Sequence, residues 1–237
     1  MQECLDLFAG VLPSQPRTRL RRRARRIRRD LAEVRDADVL LALIRSLRGK
    51  VSRTARPSLE ALERRLAARA QSLRRDPAAG GRRRIRIAGI RKRAGTLLRA
   101  VKPVARSAAS GRIGGIARRT LEARAGAVRR ALRRAGGGRS ADLHRLRVAI
   151  KRYRYTLEML EAWGLSELKP ELATARRIQE ALGVVHDMDV LIAWMSREAA
   201  PAPIMKWVRA QRRSLAAAAL ATVAGYRPIA SVSEVPG

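Results

Sequence analysis

Residues 24–44, ARRIRRDLAEVRDADVLLALI, can be written above residues 175–195, ARRIQEALGVVHDMDVLIAWM, without a gap, and 11 of the 21 positions are identical. A segment repeated after about half the chain implies two halves of the same local design. Each copy carries apolar residues at helical spacing. Leu20, Ala24, Ile27, Leu31 and Val34 recur at 4, 3, 4 and 3, and Ala175, Ile178, Leu182 and Val185 repeat that stripe. Each copy also carries an Asp-x-Asp-Val-Leu step, at Asp36 and Asp38 and again at Asp187 and Asp189. The expected local structure is a helix, a break near Arg35-Asp36 or His186-Asp187, and a second helix. The first aspartate would cap that second helix, and the next would sit in its first turn, where the positive end of the helix dipole favours an acid. Metal binding is the alternative for these pairs, but it wants more converging acids than the chain offers. Ion pairs that orient arginines are also compatible.

Helical spacing extends over nearly the whole sequence and strand-type alternation is hard to find, so the fold is expected to be all-α. Proline and glycine divide the chain at Pro57, Pro77, Gly80-Gly81, Gly114-Gly115, Gly136 to Gly138, Pro170, Gly183, and Pro201 with Pro203. Pro57 and Pro170 fit helix starts and Gly183 a helix end. The expected organisation is two pseudo-symmetric helical bundles, residues 1–135 and 136–237. The run LAAAALATVAG, residues 215–225, reads as a core helix too short to span a bilayer, and no stretch of 18 apolar residues is present. The N-terminus has acids ahead of its short apolar run, the wrong order for a signal peptide.

With 46% apolar residues, the 237-residue chain can supply a core. Its 53 Lys and Arg face only 20 Asp and Glu, a formal net charge of +33. Self-repulsion on that scale calls for a polyanionic partner: nucleic acid, an anionic membrane surface or an inorganic polyanion. Only 3% of the residues are aromatic, against the exposed rings on which single-stranded nucleic-acid binders stack bases. The lone Cys4 excludes an intrachain disulfide framework, fits a reducing cytoplasm and has no His/Cys cluster with which to build a zinc site.

The sharpest local feature is HRLRVAIKRYRYTLEML, residues 144–160. Leu143, Leu146, Ile150, Tyr153, Leu157 and Leu160 form an apolar seam, and His144, Arg147, Lys151, Arg154 and Glu158 form a separate stripe beside it. Arg145 and Arg152 widen that stripe. Cations one turn apart repel, so the pattern suggests an anion along this face. A catalytic reading of His144 lacks a partner other than Asp142, which resembles a helix cap. A metal-ligand reading lacks helical companions, which leaves His144 as a hydrogen-bond donor to an anion or a group that orients a neighbour.

HRLRVAIKRYRYTLEML, followed by LKPELATARRIQEALGVVHDMDVL, resembles the second half of a CHAD domain, the conserved histidine α-helical domain, and RRIRRDLAEVRDADVLLALI resembles the matching part of the first half. The resemblance covers essentially the whole chain. It implies two four-helix bundles that bind inorganic polyphosphate through basic residues between them. The chain lacks a Gly-rich P-loop and a cluster of metal-binding acids, so a non-catalytic protein without a cofactor is expected rather than a polyphosphate-cleaving enzyme. The resemblance also implies a cytoplasmic protein associated with polyphosphate granules. The binding residues carried over are His144, Arg147, Lys151, Arg152 and Arg154, then Arg176 and Arg177, with Arg25 and Arg26 as their repeat mates. Spacing adds Arg22 and Arg29 to the first-half stripe, and Lys169 lies two turns before Arg176. The first half is expected to open on its own histidine-led basic helix, whereas QECLDLFAGVLP after Met1 resembles only the tail of one. The expectation is a truncated chain or one whose start was chosen late. The basic region 82–134 either enlarges the anion surface or forms variable helices. Nucleic-acid binding through net charge is the alternative function.

Overall fold

A computed structural model describes residues 14–75 and 109–231, together with Leu5, Ile87, Gly89, Ala94 and Gly95. Most of the basic region 82–134 before residue 109, and the N-terminal stretch before residue 14 apart from Leu5, lie outside the described residues. The architecture is all-helical: α1 (Ser14–Leu47), α2 (Arg56–Arg75), α3 (Ala109–Ala135), α4 (Ser140–Ala162), a 3₁₀ turn (Ser166–Leu168), α5 (Lys169–Arg197) and α6 (Ala202–Val223). Sequential helices pack as neighbours, α1 on α2, α3 on α4, α4 on α5 and α5 on α6, and α1 also meets α5. No helix of the described residues is long and apolar enough to cross a membrane.

Two apolar cores organise these helices. One is built from α3, α4, residues 172–185 of α5 and residues 216–223 of α6. The other takes residues 37–47 of α1, α2, residues 188–195 of α5 and residues 204–208 of α6. Helix α5 has 29 residues, about 43 Å at the helical rise, long enough to run through both. Neither core is confined to one side of the expected 135/136 boundary: α3 packs with the later helices, and α5 and α6 serve both cores. The α4 seam behaves as its spacing predicts, with Leu143, Leu146, Ile150, Tyr153, Leu157 and Leu160 all buried.

The expected breaks near Arg35-Asp36 and His186-Asp187 do not form, since α1 and α5 continue through both positions. Asp36 and Asp187 therefore cap nothing. The reason lies in phase. Buried Ala37, Leu40, Ile44 and Leu47 continue the spacing of α1, and Met188, Leu191 and Met195 continue that of α5. The burial of apolar residues on both sides of each aspartate outweighs its preference for a cap. Gly183 likewise sits inside α5 with nothing within 4 Å of its missing Cβ, and Gly114-Gly115 lie inside α3. Leu31, placed by spacing on the buried stripe, is 40% exposed. Pro57 and Pro170 do fall at helix starts, and Pro201 and Pro203 flank the first residue of α6.

Buried polar groups lock the ends of the fold. Glu171, at the start of α5, accepts hydrogen bonds from the hydroxyls of Tyr153 and Tyr226, both at 2.7 Å. It also lies 3.4 Å from the backbone nitrogen of Ile229, so one carboxylate ties α4, α5 and the segment after α6 together. Burial and that carboxylate push both phenols above their ordinary range. On the other side, Glu63 of α2 sits between Arg45 of α1 and Arg48 of the turn that follows it.

Candidate functional site

The cations of α4 divide between two grooves. At about 100° per residue, Arg147, Lys151 and Arg154 lean to one side of His144, and Arg145 and Arg152 to the other. The first side faces α1 across a cleft of about 90 Å³ lined by Arg35, Asp36, Val39 and Leu40 of α1, Arg147 and Lys151 of α4, and His186, Asp187 and Val190 of α5. Positions 36 and 187, and positions 39 and 190, are equivalents in the two sequence copies, and here they line the same space.

Lys151 is the electrostatic centre of this cleft. Burial pushes its ammonium below its ordinary pKa, and Arg147, Arg35, Arg28 and Arg154 push it further the same way. Four guanidinium groups from two helices thus act on one half-buried lysine. Among the described residues no ion pair joins Arg28, Arg35, Arg147 or Lys151 to a carboxylate, and the Nε of Arg147 is buried without a hydrogen-bond partner. Arg154 is held in place: its guanidinium lies over the Tyr155 ring at 4.4 Å and bonds Glu158 at 3.0 Å. Like charges gathered in a partly dehydrated space repel more strongly than in water, and in this lining Arg35, Arg147 and Lys151 stand against Asp36 and Asp187.

The aspartates of the repeated step divide their work. Asp36 and Asp187 face the cleft. Burial raises Asp187 above the ordinary carboxylate range, opposed by His186, Arg147 and Arg35 and reinforced by Asp36. Asp38 and Asp189 instead bind arginines of the following helix. Asp38 pairs with Arg74, and Asp189 accepts from Arg212 Nε at 2.8 Å. Arg212 also reaches the Gly138 carbonyl and Ser140, and the Ser140 hydroxyl donates to Asp189, so α6, α5 and the turn before α4 are fastened together. Among the described residues no group of three or more His, Cys, Asp or Glu is placed to hold a metal ion.

The remaining expected site residues are scattered. His144 contacts the His186 ring, with centroids 5.2 Å apart, and also lines a groove of about 300 Å³ against α3 with Arg124, Arg145 and Arg152. Asp142, expected to cap α4, is buried and pairs with Arg139 and Arg145, both at 2.8 Å. The Arg139 hydrogen bond, then its charge and Arg145, hold the carboxyl below its usual range against the opposing effect of burial. Arg176 shares Glu158 with Arg154, whereas Arg177 and Lys169 are exposed on α5. Arg22, Arg25, Arg26 and Arg29 are exposed along α1, roughly 60° to 160° around the helix from the line through Arg28 and Arg35. None of them lines the cleft. Sequence reasoning missed Arg28, Arg35 and His186. Arg28 and Arg35 stand seven residues apart, a spacing that marks one helix face, and His186 is the repeat equivalent of Arg35.

The family model for the CHAD domain matches residues 1–196 of the chain. No curated protein matches, and no solved structure matches.

Proposed function

Because the chain belongs to the CHAD domain family, we propose that the cleft between α1 and α4 binds inorganic polyphosphate, as a non-catalytic polyanion-binding protein of the cytoplasm and its polyphosphate granules. The observation that carries this reading is Lys151, half-buried and pressed by Arg147, Arg35, Arg28 and Arg154. A linear phosphate chain laid along that row neutralises it one phosphate at a time. Arginine suits the task, because its planar fork engages two phosphate oxygens and it keeps its charge at every biological pH. The small size of the cleft also favours a single flexible chain. A nucleic-acid duplex carries its phosphates on a rigid outer surface that cannot enter about 90 Å³.

The expected result of a competition titration at moderate salt is that long-chain polyphosphate resists displacement by duplex DNA at equal phosphate concentration. Displacement by the duplex at parity would favour the other reading, in which +33 attracts any polyanion.

A further inference from the structure

The two histidines of this chain, His144 on α4 and His186 on α5, are neighbours, with ring planes tilted by 44°. His186 lines the cleft beside Arg147 and Lys151, and His144 lines the groove against α3. The pair therefore puts one ring in each groove, in contact with each other.

The charges facing this pair come from every helix packed around it. Helix α4 presents Arg145, Arg147, Lys151 and Arg152, α1 presents Arg35 and Asp36, and α3 presents Arg124. Helix α5 presents Asp187 and Asp189, the second of which is engaged by Arg212 of α6. On the cleft side Arg35, Arg147 and Lys151 outnumber Asp36 and Asp187, so a proton on His186 adds positive charge where it is least welcome. In the free protein, burial first and then Arg147 and His144 hold His186 below the ordinary histidine range, against the pull of Asp187 and Asp189. A phosphate chain reverses that balance. It supplies the missing anion and an acceptor for a protonated ring, both of whose nitrogens donate.

We propose that His186, the histidine that lines the cleft, contacts the bound phosphate chain and that binding is proton-coupled, its ring taking up a proton as the chain enters while the neighbouring His144 ring backs it. This rests on the polyphosphate reading above and adds to it a residue and a proton. The sign follows from linkage: a group whose pKa is higher in the complex than in the free protein makes binding tighter as pH falls. The window lies between the pKa of free His186, held below its ordinary value by burial and by the Arg147 charge, and its raised value in the complex, with no slope well above or well below.

The test is calorimetric titration with long-chain polyphosphate at neutral pH in two buffers of different ionisation enthalpy. Internal phosphates of a long chain do not titrate in this range, so the proton balance reports on the protein. The expected result is a binding enthalpy that differs between buffers in the sense of proton uptake, and an affinity that rises several-fold from pH 8 to pH 6. His186→Gln should flatten that pH dependence whatever it does to the affinity itself. Histidine ring NMR signals in the unmodified protein give a second readout that does not depend on a variant folding: the His186 titration should move to higher pH in the complex. Tight binding with equal enthalpies in both buffers and unmoved histidine titrations would overturn this inference and leave the polyphosphate reading standing. Absence of binding at any pH would overturn both.

Discussion

Changing Lys151 and Arg35 to Glu together is expected to weaken polyphosphate binding by at least about a hundredfold, while the same changes at Arg64 and Arg69 cost only a few-fold. The two cleft residues sit on opposite walls, one on α4 and one on α1. A hydrogen bond to a charged group contributes roughly 1.5–3 kcal/mol, so losing two costs about 3–6 kcal/mol, and each 1.4 kcal/mol is about tenfold in affinity. Arg64 and Arg69 are exposed on α2, outside the cleft. Both double variants change net charge equally, so long-range attraction falls by a similar amount in each. The comparison, made by titration at one fixed salt concentration, separates a site from diffuse charge. Equal losses would mean that no site exists.

Glu171→Ala is expected to have the largest effect on stability, destabilising the fold by about 3 kcal/mol. Tyr153 is fully buried at 0% exposure, and its hydroxyl loses its 2.7 Å acceptor. The Ile229 carbonyl, 2.9 Å away, takes over part of that role. Tyr226 loses the same carboxylate. Unsatisfied buried donors cost roughly 1–3 kcal/mol each. For a chain of this size, about 3 kcal/mol lowers the midpoint of thermal unfolding by about 6–12 °C. Glu171→Gln keeps an acceptor oxygen and should cost less than half as much. Thermal unfolding followed by circular dichroism checks both, and equal midpoints for Glu171→Ala and the unaltered chain would contradict the role given to this carboxylate.

The all-helical fold and the α4 seam were legible because burial in a helix leaves a 3–4 spacing that no other element reproduces. The two cores were less legible, because a stripe shows which face is buried but not against which partner. Nothing in the spacing of α5 marks the place between Val185 and Met188 where it passes from one core to the other. The aspartates show the limit of local preference: Asp36 and Asp187 have the sequence context of caps, yet buried apolar residues on both sides of them keep the helices going and leave their carboxylates facing the cleft. In the site, Arg147, Lys151 and Arg154 could be read from α4 alone, since their helix supplies both their spacing and their shared face. Their partners on α1 could not. Which of its many arginines meet Lys151 depends on how α1 rotates when it packs on α2 and α5, and that rotation selects Arg28 and Arg35 over Arg25, Arg26 and Arg29. The meeting of His144 with His186, 42 positions apart in the sequence, is likewise a product of the α4–α5 contact.

Whether a phosphate chain lies between α1 and α4 is decided by a structure of the protein with bound polyphosphate. Phosphate density is expected in the cleft within hydrogen-bonding distance of Lys151 and Arg147 on one side and Arg28 or Arg35 on the other. A chain bound only along the exposed face of α1, over Arg22, Arg25, Arg26 and Arg29, with the cleft empty, would contradict this placement.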